Sequence, residues 1–193
     1  LLIIFYFTAL ILAFINLQDF GIHIEEKFHR LNGHYWLNYI ANFFGFVDLQ
    51  KITEIKINEI GDYSLSSVSE YNKYGVALDL PMAFIEILFN LQNISYIYNL
   101  KHLLSFIIFL ISSLFFYKIL NRRFDNFYIN FFGLFLYVSS PRILGDSFLY
   151  KDVLFLSLIT ISLFFLLESI NKITLKNLLY FALFNALAIS LKI

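Results

Sequence analysis

Two short segments hold most of the residues able to do chemistry. One is GIHIEEKFHRLNGHYW, with the adjacent carboxylates Glu25 and Glu26. The other is the turn SSPRILGDSFLYKD, with Arg142, Lys151 and Asp152. A carboxylate pair just past an apolar run, at a membrane surface, is a candidate for catalysis. Arg142 and Lys151 could grip an anionic lipid phosphate, with Asp152 orienting one of them, because a cation aimed at a phosphate leaving group stabilises its developing charge. Plainer readings stand beside both. Carboxylates in a first turn favour the positive helix end, and Glu25–His29 and Glu26–Arg30 have the i,i+4 spacing of ion pairs. Cations at a turn can simply snorkel to an interface. His23, His29 and His34 with the glutamates could ligate a metal, but their spacing matches no strong zinc pattern. Headgroup-facing or solvated histidines are expected instead.

The first segment must be carried by a helix. From Gly21 to Phe46, apolar residues recur at Phe28, Leu31, Tyr35, Tyr39, Phe43 and Phe46. Gaps of three and four place them on one stripe, with Glu26, Arg30 and Gly33 off it. Trp36, Tyr35 and Tyr39 suit a helix lying in the headgroup region. Asp48 to Tyr74 alternates imperfectly at Ile52, Ile55, Ile57 and Ile60, and the expectation there is irregular loop. Pro81 opens a short apolar helix, PMAFIEILFNLQ, since proline is well tolerated in a first turn.

The rest of the chain expects a membrane. Of 193 residues, 60% are hydrophobic and 15% charged, with a mean hydropathy of +0.73. A soluble domain of this length could not hide that much apolar surface. Apolar runs place spans near 1–17, 103–120, 127–140, 153–167 and 178–193, and leave 18–99 as a first outer loop. Lys118, Arg122 and Arg123, with Lys172 and Lys176, mark the cytoplasmic side. The amino terminus is then cytoplasmic, and both chemical segments lie outside. The fold class expected is all-α: a polytopic transmembrane helical protein with amphipathic interfacial helices in its first outer loop. The chain starts at Leu1 and stops at Ile193 inside apolar runs, so a fragment of a longer polytopic protein is expected.

Several functions are disfavoured. The formal net charge is +0, which offers no bulk attraction to nucleic acid. Cysteine is absent, which removes disulfides and thiolate metal sites. No phosphate-cradling glycine loop, nucleophile elbow or HExxH is present. A transporter would show internal repeats and broken helices with mid-membrane polar residues, and neither is visible in the sequence.

The acidic pair after a first span, followed by Arg30, Gly33, Tyr35 and Trp36, resembles the first outer loop of GT-C glycosyltransferases. Ser140-Pro141-Arg142, Ser147-Phe148 and Lys151-Asp152 resemble bacterial relatives of dolichyl-phosphate-mannose–protein mannosyltransferases and aminoarabinose transferases. YGVALDLPMAFIEIL, then Lys101-His102-Leu103-Leu104 entering a span, is similar to that group too. The chain departs at Glu25, where Asp is common.

The resemblance implies an integral membrane enzyme, in the bacterial inner membrane, that moves a sugar with inversion from a polyprenyl-phosphate donor to a lipid or protein acceptor on the outer face. Glu25 or Glu26 would be the general base on the acceptor, which must lose its proton as the sugar passes through an oxocarbenium-like state. Glu25 is slightly favoured. Arg142 and Lys151 would hold the donor phosphate, with Asp152 in support. No cofactor is evident, and a divalent metal stays open. The rival readings are a polytopic lipid or solute transporter and a non-catalytic membrane scaffold.

Overall fold

The computed structural model describes residues 1–17, 19–61, 75–149 and 152–192. Every regular element among the described residues is an α-helix. In chain order these are α1 (Leu2–Asn16), α2 (Ile24–Phe44), α3 (Val47–Ile60), α4 (Asp79–Leu88), α5 (Ile94–Arg123), α6 (Phe127–Ser139), α7 (Pro141–Asp146), α8 (Asp152–Asn171) and α9 (Leu175–Lys192). They fall in two compact units. One comprises Leu1–Gly21 with Asn99–Ile189; the other centres on Ile22–Tyr98.

The first unit is built from apolar runs almost free of helix breakers. Helices α5 and α8 each have a mean hydropathy of 2.3 and are long and apolar enough to cross a membrane. Helices α1, α6 and α9 are apolar but shorter, below the ~20 residues that span hydrocarbon without help. The core joins Ala13 of α1, Phe106 and Phe109 of α5, Leu134 and Val138 of α6 and Val153 of α8. Two buried serines are satisfied within their own helices. Ser112 donates to the Phe109 carbonyl at 2.8 Å and Ser157 to that of Val153 at 2.7 Å, so an apolar surrounding strips no donor of its partner.

Side chains fix the turn from α5 to α6. The Asn126 side chain accepts from the Tyr128 N–H at 2.9 Å and caps α6. Asn130 donates to the Asn121 side chain at 2.5 Å and to the Phe124 carbonyl at 2.9 Å. Arg122 pairs with Glu168 of α8, and its guanidinium lies 5.1 Å from the centre of the Phe164 ring. This cation, expected to mark a cytoplasmic end, thus also ties α5 to α8.

The second unit holds α2, α3 and α4. His23 caps α2: its Nδ1 accepts from the Glu25 N–H at 3.3 Å, and the Glu26 carboxylate accepts from the His23 N–H at 3.0 Å. This reciprocal box satisfies two donors that a helix start leaves open. Gly45 ends α2 at φ 74°, with its N–H on the Ala41 and Asn42 carbonyls. That left-handed conformation is one only glycine adopts without strain.

Two expectations for these segments are corrected. Asp48–Tyr74 was expected to be irregular loop, but Val47–Ile60 is a helix of 14 residues. Thr53 and Ile60 are its buried residues and Ile57 packs beside them; this i, i+4, i+7 face is helical, and reading alternate isoleucines concealed it. Residues 62–74 lie outside the described residues. The Ser139–Asp152 turn also contains a short helix, α7, with Pro141 in its first turn. Boundaries move as well. Helix α4 starts at Asp79, two residues before Pro81, and α5 starts at Ile94, well before Leu103.

Gly33 sets the approach of α2 to α4. An added Cβ would overlap the Asp79 carbonyl and lie 3.2 Å from the Ala83 Cβ. Gly33→Ala is therefore expected to lower stability by about 2 kcal/mol, because a backbone clash outweighs the ~1 kcal/mol gained in helix propensity. Chemical denaturation of the purified chain measures it, and an unchanged or raised midpoint refutes the close packing.

Candidate active site

Glu25 and Glu26 occupy the first turn of α2 but differ in environment. Glu25 is exposed. Glu26 is buried, with 2% of its surface accessible, and its carboxylate closes the capping box. Both stand in the first turn of a 21-residue helix, a common place for acidic side chains. Two hydrogen bonds tie the turn, from the Glu25 N–H to His23 and from the His23 N–H to Glu26.

The buried surface of α2 mixes polar and apolar residues: His29, Asn32 and His34 are buried, and so are Leu31, Leu37 and Ala41. Opposite them stand Asp79 and Glu86 of α4, both 2% accessible. His29 Nδ1 lies 3.0 Å from Asp79 Oδ2, and Asn32 donates to the same oxygen at 3.1 Å. Arg30 grips Glu86 with two nitrogens, at 2.9 and 2.5 Å. His34 Nε2 lies 3.2 Å from Glu86 Oε2, and Lys56 of α3 is 3.9 Å from Oε1. Tyr98 also engages Arg30.

These contacts decide the charge states. Burial alone would raise the Glu86 pKa, but the hydrogen bonds and charges of His34 and Arg30 outweigh it and hold the carboxyl at about 2. Burial likewise works against the Arg30 charge, and Glu86 reverses it, raising the guanidinium above its ordinary value. Such a bidentate pair is strong and geometrically specific.

The apolar stripe expected on α2 divides. Its first half, Phe28, Leu31 and Tyr35, packs on Ile57 and Ile60 of α3. Its second half, Tyr39, Phe43 and Phe46, is exposed. Arg30 and Gly33, placed off the stripe, face the α4 partner.

Asn38 adds a polar tie to α3, donating to Thr53 Oγ1 at 2.8 Å. Sequence reasoning had missed Asp79 and Glu86. The signal was present in DLPMAFIE, where Asp79, Ala83 and Glu86 share one helical face at i, i+4, i+7.

The other expected site residues lie in the first unit. The Arg142 side chain is 91% exposed, 4.0 Å from Asp146 within α7. Asp152 opens α8 and is exposed. Lys151 lies outside the described residues. Among the described residues no three His, Asp or Glu side chains converge as a metal site; His29 and His34 turn to different carboxylates. No family model, curated protein or solved structure matches the chain.

Proposed function

We propose that the chain is part of a polytopic membrane glycosyltransferase of the GT-C type, which transfers a sugar from a polyprenyl-phosphate donor with inversion. One observation carries the reading: an exposed carboxylate, Glu25, stands at the capped start of α2, directly after the apolar α1, with Glu26 locked behind it. A base in this role must be held still yet reach an acceptor hydroxyl or amine. The apolar helices α5 and α8 support a membrane setting. The resemblance of the Glu25-Glu26 and Ser140-Pro141-Arg142 segments to that enzyme group supports the donor class. In this reading Arg142, Lys151 and Asp152 serve the donor phosphate.

The test is sugar transfer from a polyprenyl-phosphate-sugar donor by the full protein, with Glu25→Gln and Glu26→Gln made singly. Loss of transfer in one of them is expected. Unchanged transfer in both sinks the catalytic assignment and leaves a membrane scaffold, for which the Arg30–Glu86–His34 network would be architecture alone.

A further inference from the structure

The first unit contains a groove of about 570 Å³ between α1, α5 and α6. Its walls include Leu12, Phe106 and Phe135, and its polar edge includes Asn16, Asp19 and Ser139. That edge lies at the carboxy-terminal ends of α1 and α6. The volume is in the range of sites that enclose a small molecule or one lipid chain.

The polar edge is rich in oxygen acceptors. The Asn16 amide donates one N–H to the Leu12 carbonyl at 2.7 Å, which leaves its oxygen as an acceptor beside a second N–H. The Ser139 hydroxyl donates to the Phe135 carbonyl at 2.5 Å, so its lone pairs accept. Asp19 brings a carboxylate, and among the described residues no cation pairs with it. Among the described residues no cation lines the groove, and the last turn of α1 has no basic residue to offset its negative end. An apolar trough whose edge carries a carboxylate and further oxygen acceptors complements a long chain ending in several N–H donors.

We infer that this groove binds one membrane lipid with a primary-amine headgroup, of the phosphatidylethanolamine class, its ammonium on Asp19, Asn16 and Ser139 and its chain along Leu12, Phe106 and Phe135. An ammonium offers three donors and a full charge. A choline headgroup has the charge but no N–H, and a glycerol headgroup has neither the charge nor the amine. The inference rests on the membrane setting of the proposed function but not on its catalysis.

The test uses the full chain reconstituted in nanodiscs of equal phosphatidylethanolamine, phosphatidylcholine and phosphatidylglycerol, with retained lipid identified by native mass spectrometry. Phosphatidylethanolamine is expected to be enriched about tenfold over either competitor, the effect of one charge-assisted contact. Asp19→Asn, which keeps size and polarity, should return the ratio to that of the bulk lipid. A phosphatidylethanolamine carrying a chain diazirine should label peptides containing Leu12, Phe106 or Phe135. Bulk-like lipid ratios on the wild type, enrichment that survives Asp19→Asn, or labelling elsewhere overturns the inference. A chain that inserts but shows no selectivity refutes the groove alone; a chain that stays out of the bilayer refutes the membrane setting as well.

Discussion

Glu86→Ala is expected to destabilise the second unit by about 3–5 kcal/mol, the range for removing one partner of a buried ion pair. Glu86 is the only counter-charge within bonding distance of Arg30 among the described residues, and it also takes His34. Without it a guanidinium and an imidazole stay desolvated beside Lys56. Denaturant titration of the purified chain reads the loss. The pair Arg30→Met with Glu86→Leu is expected to recover much of it, because apolar groups of similar size need no counter-charge. A single Glu86→Ala within about 0.5 kcal/mol of wild type, the scale of an ordinary surface change, would mean that the network does not hold α2 to α4.

The same carboxyl sets an acid limit. Its folded pKa is about 2 against an ordinary 4.5, so its stabilisation is fully present above pH 4.5. It drains as pH falls through that window and is gone below about 2. On the order of 3 kcal/mol is at stake, from the linkage between pKa shift and stability. Wild type should lose that much more than Glu86→Gln between pH 5 and 2 in parallel denaturant titrations. Equal losses in the two proteins would contradict the depressed pKa.

The placement of helices was largely legible from apolar runs. Leu1–Leu17, Leu103–Leu120, Phe127–Ser140 and Val153–Leu167 each fall on a helix, because a long apolar run without proline and with at most one glycine, Gly133, favours one wherever it is buried. The amphipathic reading of Gly21–Phe46 also found α2. The inward face was not legible. The usual assumption is that an apolar stripe packs inward, yet α2 turns His29, Asn32 and His34 to α4. Local pairing rules offered Glu25 to His29 and Glu26 to Arg30 at i,i+4. Asp79 and Glu86 compete from about 50 residues away, and nothing in a local window reveals them. Gly33 was one readable hint: a glycine inside a helix weakens it by about 1 kcal/mol and implies that another backbone comes close.

Within the candidate site, the two glutamates are expected to separate cleanly. Glu25 is exposed and its backbone N–H, not its carboxylate, takes part in the cap. Glu26 spends one carboxylate oxygen on the His23 N–H. Glu25→Gln should lower turnover by roughly 10²–10⁴, the range for removing a general base, with little change in stability. Glu26→Gln keeps an oxygen for the cap and should retain most activity, while Glu26→Ala opens the box and should lower stability by about 1 kcal/mol. Transfer assays and denaturant midpoints on the same three proteins distinguish the roles. An active Glu25→Gln beside a folded, inactive Glu26→Gln reverses the assignment: the buried carboxylate would then be the base, exchanging the His23 N–H for the acceptor as substrate enters.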